Sequence, residues 1–215
     1  AHNLSAGLSL NHDYLRQNLS LTTPTAILSN YGNLYPLKNN VESETTPGAY
    51  VQYTFNLHNH FIAMAGFRVD HSNVYGTFAT PRFHVKWVAT DFLTLRLSAG
   101  KGYRSPHALA ENNYLLASGR CLMVDQPLKQ EAAWNYGTST ALNIPLFNKT
   151  LKLNAEYYYT HFTNQTVIDY DSNPLELHIG NLNGKSYSHT FQIDASYPVF
   201  RGFELTAAYR YNLVK

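Results

Sequence analysis

Leu151-Lys152-Leu153-Asn154-Ala155-Glu156-Tyr157-Tyr158-Tyr159-Thr160 alternates apolar and polar side chains almost without a break. Successive side chains of an extended strand leave the backbone on opposite sides. This stretch is therefore a strand with one greasy face (Leu151, Leu153, Ala155, Tyr157, Tyr159) and one wet face. Eight further stretches read the same way. The first carries Leu4, Ala6, Leu8 and Leu10, the second Ala49, Val51, Tyr53, Phe55 and Leu57, the third Phe61, Ala63, Ala65, Phe67 and Val69. Phe83, Val85, Trp87 and Ala89 mark the fourth, and Leu93, Leu95, Leu97 and Ala99 the fifth. The sixth runs from Ala132 to Leu142, the eighth from Tyr187 to Tyr197 and the ninth from Phe203 to Tyr211.

The connections between these nine strands run long, short, medium, short, long, short, long, short. The long ones cover about 11–48, 101–130 and 160–185, and the medium one about 71–80. The short ones are His58-Asn59-His60, Thr90-Asp91, the turn around Pro145 and Asn148, and Pro198 to Gly202. A soluble sandwich can produce the alternation, but short turns at one end and long loops at the other belong to an up-and-down barrel in an outer membrane. The predicted fold is all-β: an antiparallel up-and-down meander, forming a partial transmembrane β-barrel of about nine strands. Inside the second long connection, Ser105-Pro106 reads as an N-cap with Pro at the first helical position, and Gly119 as a C-cap. A short helix over about 106–118 is expected there. Thr166 to Ile179, in the third, is expected to extend its hairpin beyond the bilayer.

Composition agrees. Charged residues make up only 14% of the chain against a usual ~25%, while 17 tyrosines enrich the aromatics. The mean hydropathy is negative, as expected when half of all strand positions face a wet lumen. No apolar run reaches the ~20 residues of a spanning helix. A net charge of +2 gives no reason to expect a nucleic-acid partner, and the single Cys121 excludes an internal disulfide. The polar faces carry Arg68, Asp70, Arg82, Lys86, Arg96, Glu156, Asp194, Glu204 and Arg210. So many charges imply a wide lumen holding water or another folded element. A complete bacterial barrel has an even strand number. Nine strands, an opening Ala1-His2-Asn3 without a leader, and an ending at Val214-Lys215 without a terminal aromatic are together expected of one part of a longer chain.

No catalytic constellation, metal site or cofactor motif emerges. Gly100-Lys101-Gly102 lacks the third glycine and the Lys-Ser/Thr of a phosphate loop. His58 and His60 sit in a tight turn without Cys or carboxylate partners, and His84 and His189 stand singly in strands. No Ser-His-Asp or paired-carboxylate grouping stands out, so an enzyme is not expected, and an outer-membrane lipase or protease barrel is disfavoured. Binding groups concentrate on loops carried by a rigid scaffold. That makes Arg104, Glu111, Asn112, Tyr114, Arg120 and Asp125 the ligand-binding candidates of the second long loop. The plainer reading of each is that it holds the loop's own helix together. The rival fold, a soluble β-sandwich adhesin or carbohydrate-binding module, would bury Leu93, Leu95 and Leu97 in a core.

Thr80-Pro81-Arg82, the strand Leu93 to Gly100 and the run Lys101-Gly102-Tyr103-Arg104-Ser105-Pro106 resemble the barrel of TonB-dependent outer-membrane receptors. In that family a strand ending in such a run rises into an extracellular loop. Leu128-Lys129-Gln130-Glu131, followed by Trp134, Tyr136 and Gly137, matches the start of the next descending strand. Ala110-Glu111-Asn112, within Ala108 to Ser118, looks like the version found in Bacteroidetes. The likeness is strongest over about residues 80–140 and weak over the rest. It implies a ~22-stranded barrel closed by an N-terminal plug, of which residues 1–215 are a middle portion with no plug and an incomplete barrel. It further implies capture of a scarce small-molecule ligand (siderophore-iron, haem, cobalamin or similar) by long extracellular loops. The partners it implies are outer-membrane lipid, the rest of the barrel and plug, and TonB acting through an N-terminal part outside this sequence. The implied location is the outer membrane of a Gram-negative bacterium.

Overall fold

The structure, a computed structural model, describes residues 1–18, 27–29, 39–125 and 127–215, with only the backbone path for 27–29. In chain order the elements are β1 (His2–Gln17), β2 (Ile27–Ser29), β3 (Asn40–Leu57), β4 (Phe61–Ser72), β5 (Gly76–Thr90) and β6 (Leu93–Arg104). Then come α1 (Ala108–Asn112), a 3₁₀ segment (Asn113–Ser118), β7 (Cys121–Val124), β8 (Glu131–Leu146) and β9 (Lys149–Asn164). β10 (Thr166–Asp169), β11 (Glu176–Asn181), β12 (Ser186–Phe200) and β13 (Phe203–Val214) complete the order. Nine strands form one antiparallel meander in the order β1-β3-β4-β5-β6-β8-β9-β12-β13. β1 and β13 are its edges, so the sheet is an open stretch of barrel wall rather than a closed barrel.

Register sorts the side chains into two unlike faces. One row, joined by direct cross-strand pairs from β3 to β13, reads Phe55, Ala63, Val85, Leu97, Thr138, Tyr157, Phe191, Tyr211. The row one residue away reads Asn56, Ile62, Lys86, Arg96, Ser139, Glu156, Gln192, Arg210. A slip of one residue would exchange the faces, so the pattern fixes the pairing. Among the described residues, no second sheet covers the apolar face. Leu97 is 55% exposed and Leu8 86%, the reverse of what a sandwich core requires.

The short turns lie where expected. His58 (φ 47°) with Asn59 (φ 62°), and Phe147 (φ 47°) with Asn148 (φ 61°), occupy the left-handed region at both central positions, the type I′ signature that matches strand twist. Arg201-Gly202 closes the last hairpin, with Gly202 at φ 83°. At the other end the strands run beyond the predicted limits. Much of the expected 11–48 loop is strand: β1 and β3 pair as far as Gln17 with Asn40, and apart from β2 the middle of the connection lies outside the described residues. The medium loop likewise shrinks to a turn at Asn73-Val74-Tyr75. Ser72, 1% exposed, ties that turn down. Its hydroxyl donates to Glu44 (2.6 Å) and accepts from the backbone amides of Val74 (3.1 Å) and Tyr75 (3.2 Å). On the polar face Arg68 binds Asp70 through Nε and Nη2 and also donates to Ser9 (2.8 Å). Asp70 lies so close to Gly48 that a side chain there would strike its carboxylate, so β3 needs a glycine at this point.

The fully buried cluster lies at the long-connection end, not in the wall. Ala108, Leu109, Leu115, Leu122, Val124, Leu177 and Ile179 pack together, flanked by Leu116, Leu128 and Ile168. They belong to a second sheet, β10-β11-β7-β2, and to the helical segment above it. β7 pairs in parallel with both β11 and β2, which the sequence reading did not anticipate. The expected extension of the third hairpin is therefore only half right. β10 and β11 do pair antiparallel, but they leave the wall at Gln165 and join this separate sheet. The expected helix is also corrected: one α-helical turn over 108–112 passes into 3₁₀ geometry over 113–118. His107, not Ser105, is its N-cap residue, and it makes no side-chain capping bond. Gly119 terminates the segment at φ 73°, as expected.

Candidate functional site

The site is built where β6, β8, β9 and β12 pass from the wall into the second sheet. Glu131, at the start of β8, is the joint. Its carboxylate accepts from Arg104 Nε (2.5 Å) at the top of β6 and from the backbone amide of Thr166 (2.9 Å) at the start of β10. Arg104 also reaches Glu111 in α1 (3.2 Å). One guanidinium thus links a wall strand, the helical segment and, through Glu131, the third loop. Glu131 is mostly buried (14% side-chain exposure) although Arg104 is 60% exposed, so its bond to Arg104 is partly shielded, whereas the Arg104–Glu111 pair is a surface ion pair. A second tie joins the helical segment to the overhang of β3, where His107 Nδ1 lies 2.6 Å from a Glu42 oxygen. Between that overhang and α1 opens a cleft of about 670 Å³, lined by Asp13, Tyr14, Glu42, Glu44, Pro106 and His107 among others.

The six candidates fall into two groups. Arg104 and Glu111 face each other as described, and Asn112 Nδ2 donates to the Ala108 carbonyl (2.9 Å), inside its own helix. Asp125 lies with its carboxylate against Gly180, leaving no room for a side chain there, and its backbone amide donates to Ile179 (2.9 Å). These four knit the loop. Tyr114 and Arg120 converge instead on Tyr170, at the tip between β10 and β11. The hydroxyls of Tyr114 and Tyr170 lie 3.3 Å apart, and Arg120 Nη1 donates to the Tyr170 carbonyl (2.9 Å). Both rings are open to solvent, Tyr114 at 59% and Tyr170 at 45%. The hydrogen bond with Tyr114 raises the pKa of Tyr170, which favours its protonated phenol. Tyr170 was missed by sequence reasoning because it comes 56 residues after Tyr114, and no spacing rule joins two loops that far apart.

A family model described as TonB dependent receptor-like, beta-barrel matches residues 1–214. The chain belongs to the TonB-dependent receptor β-barrel family. A search of curated proteins returned no match. Among solved structures, this receptor wall is similar to a variant of the ferric enterobactin receptor PfeA from Pseudomonas aeruginosa in complex with enterobactin. The TM-score is 0.74 at 16% identity, covering 99% of this chain and 33% of that one. The siderophore receptor PirA from Pseudomonas aeruginosa gives 0.72 at 14% identity over 99% and 39%. The FrpB iron transporter from Neisseria meningitidis gives 0.67 at 16% over 100% and 33%. At such identities the likeness establishes the fold of the receptor wall. The chain spans about a third of the length of these proteins.

Proposed function

We propose that this chain is a middle portion of the barrel of an outer-membrane receptor from a Gram-negative bacterium with a Bacteroidetes-like sequence. The parent captures a scarce small-molecule ligand at its extracellular loops and imports it with energy delivered through TonB. The chain is a transport element rather than an enzyme. Its partners are outer-membrane lipid, the remaining wall, a plug and TonB. The observation that carries the reading is the exposed apolar face of the nine-stranded wall, which needs lipid against it, combined with a folded loop module at the long-connection end. A soluble adhesin or carbohydrate-binding sandwich would have to bury Leu97, which is exposed. The three structures compared above carry iron acquisition in their names, which favours siderophore-iron over haem or cobalamin as the ligand class.

Within the module, Tyr114 and Arg120, with Tyr170, offer two aromatic faces and a cation beside them, a combination that holds planar or anionic ligands. Arg104, Glu111, Asn112 and Asp125 serve that cluster by fixing the loops that carry it. The test uses the full-length parent in its own cells. The protein should fractionate with the outer membrane and rise in abundance under iron limitation. Arg120→Ala with Tyr170→Ala should weaken binding of a radiolabelled ferric chelate to whole cells by about tenfold or more. A protein that stays monodisperse in buffer without detergent overturns the reading. Unchanged chelate binding by the double variant overturns the site.

A further inference from the structure

One face of the second sheet is packed, and the other gathers metal-binding side chains. Leu122 and Val124 of β7 and Leu177 and Ile179 of β11 belong to the buried cluster. Side chains alternate along a strand, so Cys121, Met123, Glu176 and His178 stand together on the opposite face. The parallel register sets Cys121 beside Glu176 and Met123 beside His178. The four form a two-by-two array on backbones ~4.8 Å apart. His178 and Glu176 have side-chain exposures of 38% and 37%, so an ion can reach the array from solvent. Cys121 is the single cysteine of the chain, and its thiol is free.

The contacts inside the array are those of a soft-metal site. Cys121 Sγ lies 4.0 Å from Met123 Sδ. Metal–sulfur bonds are ~2.3 Å long, so two sulfurs on one ion at tetrahedral to trigonal angles stand roughly 3.8–4.0 Å apart. His178 Nε2 lies 3.0 Å from a Glu176 carboxylate oxygen. With the ring proton on that nitrogen, Nδ1 keeps its lone pair, the way a carboxylate fixes a metal-ligating imidazole. Asp169, opposite His178, is engaged by Ser172 and the turn amides, and Asp125 lies against Gly180. Among the described residues no three His, Cys, Asp or Glu side chains come together at a point that could hold a metal ion. A structural zinc site, built from four such ligands, is therefore not formed here. Two sulfurs and one imidazole are instead a donor set that selects copper(I).

We infer that Cys121, Met123 and His178 form a three-coordinate copper(I) site in the loop module, with Glu176 as a positioning residue behind the imidazole. Burial, and then the charge of Glu176, push the Cys121 thiol up, so the free sulfur holds its proton. Copper(I) takes the place of that proton, which leaves to water, and no electron is transferred. The metal ties β7 to β11, which pair over only four residues each, and so stiffens the module. The site needs the folded module alone and is independent of the ligand proposed for Tyr114, Arg120 and Tyr170.

The test uses the full-length receptor in nanodiscs, with copper(I) presented anaerobically as its bicinchoninate complex. The receptor should withdraw one equivalent of copper more than its Cys121→Ser variant, read as loss of the complex's colour. Hydrogen exchange should slow over 121–124 and 176–181 when copper is bound. Met123→Leu and His178→Gln should each weaken this copper by about tenfold or more, and Glu176→Ala by a similar factor. Met123→Leu keeps the side-chain volume, and hydrogen exchange of each metal-free variant checks that its module is folded. Equal withdrawal by wild type and Cys121→Ser overturns the site. So does a result in which Cys121→Ser alone removes copper while the Met123 and His178 variants bind as wild type, because the metal then sits on a lone thiol. A Cys121 that resists alkylation in the unfolded receptor until reductant is added is held in a disulfide, and that outcome overturns the site as well. Loss of ferric-chelate capture at the loops strikes the receptor reading instead and leaves the copper titration unchanged.

Discussion

In the nine-stranded wall Leu8, Leu97 and Tyr209 are 86%, 55% and 60% exposed, whereas in the loop module Leu109, Leu122 and Leu177 are each 1% exposed and Ile179 0%. Both regions contain β-strands of the same chain, the module adding the helical segment that carries Leu109. The module buries its apolar groups against each other, and so carries its own hydrophobic drive to fold in water. Among the described residues the wall has no such partner. Between its edge strands β1 and β13 its backbone is satisfied by strand pairing, and its apolar face is left for an external apolar phase. A membrane wall and a water-facing cap can therefore be told apart by where the buried side chains lie, without reference to hydropathy averages.

The largest effect expected from breaking this contrast falls on the module. Ile179→Ala removes the side chain at its centre, where Ile179 packs among Leu109, Leu122 and Leu177. It should cost about 2–5 kcal/mol of module stability. Hydrogen exchange should then lose protection over 108–124 and 166–181 while the wall keeps its own. If the wall loses protection to the same extent, the two regions are one cooperative unit and the contrast fails.

On the wall the expected sign depends on the solvent. Leu97→Arg places a charge on the outward face, and in a lipid bilayer it should cost about 2–4 kcal/mol if that position lies near the midplane. Equilibrium unfolding from liposomes measures it. A neutral or stabilising result would mean that Leu97 faces water. Lys86→Arg, one face away, keeps its charge toward the lumen and should leave lipid stability unchanged.

The sequence made the wall legible because period-two alternation has one structural meaning when nine segments share it, and because Asn59, Asn148 and Gly202 supply the turn backbones. What it concealed has physical reasons. β1 and β3 continue past their alternating stretches as Asn11 to Gln17 and Asn40 to Thr46, where polar residues occupy both faces and alternation vanishes. The second sheet was illegible because β7 has four residues and meets β11 in parallel across more than fifty residues of chain. In the site, the residue types Arg104, Glu111, Tyr114 and Arg120 could be read from the second loop. Their division into loop ties and an exposed cluster could not, since Glu131 and Tyr170 decide it and both lie in other segments. The helix was misplaced by its cap: Ser105 accepts a 3.4 Å hydrogen bond from Gln130 instead of capping α1.

The smallest effect concerns the turn that carries Tyr170. Asp169 accepts from the Ser172 hydroxyl and from the backbone amides of Asp171 (2.9 Å) and Ser172 (3.0 Å), folding the β10–β11 tip around its carboxylate. These bonds, that of Ser172 first, lower its pKa from 3.8 to about 2. A carboxylate with a lowered pKa stabilises the fold most above its unfolded value, and the contribution is lost as pH falls through the folded one. The tip should therefore hold Tyr170 in place at neutral pH and loosen between about pH 4 and pH 2. Carboxyl-carbon NMR of the receptor should show Asp169 titrating near pH 2, and Ser172→Ala should move that midpoint upward. The core around Ile179 contains no carboxylate among its described members, so its hydrogen-exchange protection should not change over the same interval. A module whose core opens together with the tip would show that Asp169 supports more than its turn.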